Sequence, residues 1–343
     1  MKTNYFVSAF ALFLLLIFLS VWFGMLLLDK PIENDMIKPP SIEPPSALSV
    51  SSSSESESEP ESEAAPIAVE YQPSSAESTP GPEISFSISS SETYPGEYIV
   101  LYAYGDLEAA DIAVSSPFSR DPVFFKQGDH LAALYPIKYT YEPGEYVLTL
   151  SAKDVTEQFN ITLLSKQWQT QALTVDGDVV NNTIESNSAN EEYNAKVAPK
   201  KSLFEAQPLW QGSFIQPVGG RITTEFGMLR TVNGVPSDRH GGVDIAAARG
   251  TEIAAANSGK VLFAEFIALT GNTICIEHGM GLKTWYYHMD SLAVAEGESV
   301  VKGQKIGEVG STGFSTGPHL HWAASVFNVY VNPWTLVEAA PET

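Results

Sequence analysis

The feature that most constrains this chain is an uncharged stretch near its start, residues 6–28. The stretch is 23 residues long, and a helix that rises about 1.5 Å per residue would cover the roughly 30 Å of a bilayer core over that length. A cleaved signal peptide is the alternative, but its apolar region is about 7 to 15 residues long and ends in small residues. Here the stretch ends in Trp22, Phe23, Met25 and three leucines. We therefore expect an uncleaved transmembrane anchor at residues 6–28, within a segment 1–30.

A spacer rich in Pro, Ser and Glu follows at residues 31–83 and includes the run SSSSESESEPESE. Residues 31–85 carry 11 acidic residues and one basic residue, and the whole chain has a net charge of −22. Few of these residues could build a core, so the composition predicts a disordered linker. The acidity argues against nucleic-acid binding. The single cysteine excludes an internal disulfide and a Cys-rich zinc site.

Short alternating apolar runs between residues 84 and 175 predict a small Ig-like β-sandwich. The turn-and-strand string PGEY occurs there twice. Strand tyrosines in this region could either line a glycan-binding surface or fill the core; they are Tyr102, Tyr104, Tyr135, Tyr139 and Tyr141. Residues 176–205 are rich in Asn, Glu, Ser and Ala and predict a second linker. We expect the final domain to span residues 206–343.

The final domain holds most of the histidines: five of the six lie between His240 and His321. No HExxH motif is present, but HGGVD occurs at 240–244 and HLH at 319–321. Catalytic zinc usually takes three protein ligands and leaves a fourth position for water. Two histidines and one aspartate would meet that need and leave a site with a charge of about +1, which could polarise a carbonyl.

Local geometry supports a common site for these motifs. The paired glycines of HGGVD favour a turn that enters a strand, which would let His240 and Asp244 converge. If Pro318 opens a strand, the two histidines of HLH project from the same face. In the string WYYHM, we expect His288 to share a strand face with Tyr286, while Tyr287 points the other way.

One further segment and two further residues have alternative interpretations. GFSTG at 313–317 matches the G-x-S-x-G nucleophile elbow, but that motif needs a following helix and then an Asp or Glu followed by a His. Here Pro318 and a β-like run follow, and no histidine lies beyond His321. His278 precedes a turn, and we expect it either to have a structural role or to support the site, without binding metal. Cys275 could offer a thiolate, but we expect a buried, inert thiol.

Together these motifs resemble one family, the lysostaphin-type (LytM-like) zinc endopeptidases that cut peptidoglycan peptides. The resemblance extends over Gln216–Pro333 and rests on the strings GGRITTEFG, DRHGGVDIAAARGTEIAAA, GNTICIEHGMGLKTWYYHM, EGESVVKGQKIGEVGSTGFSTGPHLHW and VNPW. It implies a mainly antiparallel β-domain of the duplicated hybrid motif type with a groove on one face. The predicted chain is therefore mainly β throughout, apart from the transmembrane helix.

The resemblance also implies roles for individual residues. His240, Asp244 and His321 match the family's ligands to one zinc ion. His288 and His319 match the two unliganded histidines that act on the attacking water and on the transition state. The implied reaction is hydrolysis of stem or cross-link peptide bonds by metal-activated water.

A second class of function is a non-hydrolytic or latent scaffold that binds the wall or recruits a partner in division or sporulation. Such relatives usually lose a ligand or a catalytic histidine, whereas this chain keeps all five positions, which favours a peptidase. A peptidoglycan substrate implies a single-pass protein of the cell membrane whose carboxy-terminal domains face the wall. The order of the domains also suggests a regulatory protein partner.

Overall fold

The computed structural model describes residues 83–118 and 120–343. The predicted anchor at residues 6–28 and the predicted linker at residues 31–83 lie outside this part of the chain, except for residue 83 itself. Within it, no helix is both long enough and apolar enough to cross a membrane. The secondary structure is mainly β, as the sequence predicts.

The first eight strands form two four-stranded sheets with the orders β1-β3-β6-β5 and β2-β8-β7-β4. Their bounds are β1 (Ser85–Ile88), β2 (Glu92–Thr93), β3 (Tyr98–Tyr104), β4 (Ala113–Ser115), β5 (Phe125–Gln127), β6 (His130–Pro136), β7 (Gly144–Ala152) and β8 (Val155–Leu163). Leu101 of the first sheet and Leu148 and Ile161 of the second are fully buried in one shared core. The two sheets therefore pack as a sandwich that ends at Leu163.

The first sheet of the sandwich is covered on both faces. Along β3, Ile99 and Leu101 enter the sandwich core, whereas Val100 between them enters a different core that it shares with the final domain. Strand β6 divides in the same way, because Ala132 and Leu134 pack with the final domain. Burial on two faces explains why these strands are near-continuous apolar runs rather than alternating ones.

The final domain is built on one large sheet with the order β10-β13-β21-β17-β16-β15-β19, and β22 pairs with β21. Two three-stranded sheets, β12-β11-β9 and β14-β20-β18, flank it. The bounds are β9 (Thr170–Leu173), β10 (Arg221–Thr224), β11 (Leu229–Val232), β12 (Val235–Ser237), β13 (Val243–Ala246), β14 (Glu252–Ala254), β15 (Gly259–Ile267), β16 (Gly271–Glu277), β17 (Leu282–Met289), β18 (Ser291–Leu292), β19 (Ser299–Val300), β20 (Lys305–Glu308), β21 (His319–Val326) and β22 (Val329–Val331).

The segment that we expected to be a second linker is folded. It contains the helices α1 (Gly177–Asn182) and α2 (Asn187–Lys196), and a third helix, α3 (Pro333–Glu338), lies near the end of the chain. Asp176 and Ser186 cap α1 and α2 by accepting hydrogen bonds from backbone N–H groups. Val197 is fully buried against Phe263 and Trp285 of the large sheet. The segment is mostly polar, which is why its composition predicted a linker, but a few apolar residues such as Val197 pack against the large sheet and fix it.

The tyrosines of the sandwich separate into two groups. Tyr135 is fully buried, and Tyr141 packs edge-on against Phe118. Tyr139 packs against Phe226 of the final domain, with ring centroids 5.7 Å apart. These three are packing residues. Tyr102 and Tyr104 instead cluster with His130 near the surface.

Candidate metal centre and active site

Two neighbouring strands bring the predicted metal ligands together. Asp244 on β13 lies directly opposite His321 on β21, so their side chains project from the same face of the sheet. His240, just before β13, completes the group. Its Nε2 lies 2.9 Å from Asp244 Oδ1 and 2.8 Å from His321 Nδ1, and the last two atoms are 2.8 Å apart. The three side chains form a cluster that could hold a metal ion.

The second glycine of HGGVD allows this close approach. A Cβ atom at Gly242 would overlap the carbonyl oxygen of Trp322 and would lie 2.9 Å from His321 Nε2. The preceding Gly241 is less constrained, because a Cβ there would meet the ring of Tyr330 at an ordinary 3.4 Å. Only a residue without a side chain lets β13 enter beside β21 at this point.

The chemistry of the cluster fits a divalent cation. His240 Nδ1 lies 3.0 Å from the carbonyl oxygen of Glu225. Because a carbonyl oxygen can only accept, Nδ1 carries the ring's proton and donates a hydrogen bond to that oxygen. In the neutral ring, Nε2 then has a lone pair that faces Asp244 Oδ1, which is also an acceptor. Such atoms repel one another unless a cation or a proton lies between them. A His₂Asp donor set is one that zinc accepts.

Asp244 has a low pKa in spite of its burial. Burial alone would raise its pKa, but the neighbouring His240 and His321 hold the pKa of Asp244 well below its usual range. Burial also lowers the pKa of His321 to about 4, so this ring is neutral near pH 7. A neutral His321 and an ionised Asp244 are the protonation states that metal binding requires of these two residues.

Arg230 is a site residue that the sequence analysis missed. Its Nη2 donates to Asp244 Oδ2 at 2.7 Å, on the side of the carboxylate away from the histidines. This cation would raise the charge around a bound zinc ion from the expected +1 to about +2. No motif spacing links Arg230 to HGGVD; only the β11 strand places it there.

The two predicted catalytic histidines lie beside this cluster. His288 Nδ1 donates to the carbonyl oxygen of Thr312 at 2.8 Å, and His319 Nδ1 donates to that of Gly317 at 2.8 Å. Their ring centroids are 4.9 Å apart. Each Nε2 is left with a lone pair when its ring is neutral, and burial lowers the pKa of His288 to about 3. Both rings are therefore oriented to accept a proton at Nε2.

The expected alternation of WYYHM is wrong for both tyrosines. Tyr287, which we expected to point away, stacks on His321 with ring centroids 5.2 Å apart and planes inclined by 11°. Tyr286 instead enters the core, where its hydroxyl accepts the N–H of Ala256. His288 has a left-handed φ of 63°, and this turn brings the side chains of Tyr287 and His288 to the same face.

His278 and Cys275 lie away from the metal ligands. His278 is fully buried, and its Nδ1 donates to the carbonyl oxygen of Ser258 at 2.8 Å. Burial lowers its pKa to about 4. Cys275 is also fully buried, and burial raises the pKa of its thiol. Neither belongs to the cluster formed by His240, Asp244 and His321.

The GFSTG segment does not have the geometry of a nucleophile elbow. It forms a loop that leads into β21, not into a helix. Ser315 Oγ contacts His319 Nδ1 at 3.3 Å but lies closer, at 3.0 Å, to the carbonyl oxygen of Gly317. Since His319 Nδ1 donates to that same carbonyl, it cannot act as the base for Ser315. The loop instead forms one wall of the site.

An open cleft of about 300 Å³ adjoins the cluster. Its floor includes the side chains of His288, His319 and His321, and the 314–318 loop forms one wall. Gln171 and Leu173 of β9 contribute to another wall. The cleft therefore gives a ligand access to the histidines and to Asp244.

Comparison with known proteins matches part of this region to a family model. Residues 238–333 match the model of peptidase family M23. The DD-carboxypeptidase/endopeptidase Mpg of Neisseria meningitidis serogroup B is 36% identical over 147 residues, which are 43% of this chain and 32% of Mpg. The chain therefore spans about a third of the length of this curated relative.

Solved structures give similar matches. A structure from Pseudomonas aeruginosa assigned to peptidase M23 has a TM-score of 0.51 at 24% identity and aligns over 72% of this chain and 95% of its own. The catalytic domain of the antimicrobial peptidase lysostaphin from Staphylococcus simulans is 32% identical, with a TM-score of 0.32, over 35% of this chain and 92% of that domain. The Pseudomonas structure supports the fold of the described chain.

Proposed function

Because this chain belongs to peptidase family M23 through its final domain, we propose that it is a zinc endopeptidase that hydrolyses peptide bonds of peptidoglycan. One observation carries the proposal: the candidate ligand atoms of His240, Asp244 and His321 lie within 2.9 Å of one another beside an open cleft. We propose these three residues as the ligands of a single zinc ion.

The two histidines next to the ligands would accept and donate the protons that move during the reaction. When bound, zinc would polarise the scissile carbonyl and acidify water. His288 and His319 present Nε2 atoms that can accept a proton from the attacking water and return one to the leaving amine. Their Nδ1–H groups are held by backbone carbonyls, so neither ring must reorient. A ring that has gained a proton would also stabilise the oxyanion that develops on the substrate.

The names of the relatives suggest the bond. Mpg is named a DD-carboxypeptidase/endopeptidase, and a relative from Vibrio cholerae is named a peptidoglycan DD-endopeptidase. We propose that this chain also cuts between D-amino acids in the cross-links.

We further propose that residues 6–28 anchor the protein in the cell membrane, with the later domains on the extracytoplasmic side. The support is the uncharged length of that stretch and the location of the proposed substrate. Protease added to intact spheroplasts should digest the final domain. Complete protection of that domain would contradict the orientation.

Mass spectrometry of muropeptides tests the proposed activity. Purified sacculi would be incubated with the full-length chain, with its His321→Ala variant and with a chelated sample. We expect new amino termini at D-amino acids in the first sample alone. If zinc-loaded protein released nothing from sacculi of several wall types, a non-hydrolytic wall-binding scaffold would replace the proposal.

A further inference from the structure

One wall of the cleft comes from outside the family region. Strand β9 precedes residues 238–333, which match the family model, and follows directly after the sandwich. Yet its residues Gln171 and Leu173 border the same cleft as His319 and His321. The segment between the two domains therefore contributes side chains to the candidate active site.

The register of β9 is fixed at both of its ends. β9 pairs in parallel with β11 so that Gln171 lies opposite Arg230. The N–H of Leu229 donates to the carbonyl oxygen of Gln169, and the N–H of Asn233 donates to that of Leu173, each at 2.9 Å. The Asn233 side chain also exchanges two hydrogen bonds with the backbone of Val175. A slip of one residue would remove Gln171 from Arg230, and these contacts oppose it.

The amide of Gln171 is held at both of its polar atoms. Nε2 donates to Thr224 Oγ1 at 2.9 Å, and Oε1 accepts from Arg230 Nε at 3.1 Å. Thr224 is itself buried and pairs with Asp244 across β10 and β13. A reversed amide would set its NH₂ group against Arg230 Nε–H, so only one orientation satisfies both partners.

These contacts continue through Arg230 to a proposed ligand. Arg230 Nη2 donates to Asp244 Oδ2, while Asp244 Oδ1 faces the two histidines. We infer that Gln171 is a positioning residue for the metal centre. It holds Arg230 where the guanidinium donates a hydrogen bond to Oδ2 of Asp244, so that only Oδ1 faces the metal. This inference rests on the proposed zinc site.

Loss of Gln171 should loosen the ligand without removing it. Arg230 has a long, flexible side chain, and without a partner at Nε it would sample other rotamers. Partners that orient metal ligands typically contribute 10- to 100-fold to metal affinity. Since Gln171 acts one step further out, we expect an effect at the lower end, about tenfold.

The test compares zinc and cobalt binding in variants of the full-length chain. Gln171→Leu should raise the zinc dissociation constant about tenfold and alter the visible absorption bands of bound Co²⁺, which report ligand geometry. Gln171→Glu keeps an acceptor for Arg230 Nε and should not weaken zinc binding. Gln169→Leu is the matched control, because Gln169 is exposed and makes no side-chain hydrogen bond within the described residues; it should bind both metals as the wild type does.

A double-mutant cycle distinguishes positioning from general damage. If Gln171 acts through Arg230, Gln171→Leu should have little further effect on zinc affinity in an Arg230→Met background. Additive losses would overturn the inference, and so would a Gln171→Leu protein with wild-type zinc affinity and cobalt spectrum. A wild-type chain that bound no zinc would instead overturn the proposed function, and this inference with it.

Discussion

At the scale of single residues, the site depends on a missing side chain as much as on the charged ones. Gly241 and Gly242 are adjacent, but only Gly242 lies against the backbone of β21, beside His321. We expect Gly242→Ala to abolish zinc binding, because the new methyl group would overlap the Trp322 carbonyl and force β13 away from β21. Gly241→Ala, with its methyl group in ordinary contact with Tyr330, should bind zinc normally. Isothermal titration of both proteins would check this, and equal affinities would refute it.

Some residues of the candidate site could be placed from the sequence alone, and others could not. His240, Asp244, His319 and His321 could be placed on one face because a glycine turn and a two-residue spacing constrain them locally. Tyr287 could not be placed, because its direction depends on the left-handed backbone at His288, and β-branching or hydropathy gives no sign of that conformation. Arg230 and Gln171 were missed because pairing between distant strands brings them to the site.

At the scale of elements, the β16–β17 hairpin carries a buried histidine that should make folding sensitive to acid. His278 Nδ1 bonds Ser258 of the neighbouring loop, and its Nε2 lies 2.7 Å from Thr284 Oγ1. Burial lowers its folded-state pKa to about 4, whereas the unfolded chain takes up a proton near pH 6.5. Between these values the unfolded state binds more protons, so stability falls as the pH falls.

Denaturant unfolding at several pH values measures this effect. From pH 7 to pH 5, we expect His278 to cost the fold about 2 kcal/mol. His278→Gln should be less stable at pH 7 because it cannot reproduce both hydrogen bonds, but its stability should fall less steeply with acid. Other buried histidines are common to both proteins, so the difference in slope isolates His278. Parallel slopes would show that His278 does not titrate in this range.

The interdomain segment illustrates why composition misleads at the scale of elements. Residues 176–205 contain many polar residues, yet β9 before them pairs with β11, and helix α2 places Tyr193 beside Tyr330. Tyr330 in turn lies 3.2 Å, oxygen to oxygen, from Tyr287, which stacks on His321. A few residues at the right spacing fix the segment, and a compositional average cannot detect them.

At the scale of the whole molecule, the sandwich and the final domain share a continuous core and should unfold together. Val100, Phe125 and Leu134 of the sandwich lie in the same buried cluster as Val326 of the large sheet. Phe204 bridges the two parts, with ring centroids 5.2 Å from Phe125 and 5.8 Å from Phe327. Separation would expose apolar surface on both partners, so neither part has a complete core alone.

Calorimetry with and without zinc tests this cooperativity. We expect the described domains to unfold in one transition, and zinc at about 100 times its dissociation constant should stabilise that transition by about 2.7 kcal/mol. The sandwich contributes no residue to the proposed metal site, so zinc could raise the unfolding temperature of the sandwich only through the shared core. The sandwich strands, residues 85–163, contain no tryptophan, so tryptophan emission does not report their unfolding. Hydrogen exchange at β7 and β8 does report it, and zinc should slow the exchange there. In His321→Ala, the single transition should remain but no longer respond to zinc. Two transitions, of which only one shifts with the metal, would mean that the shared core does not couple the domains.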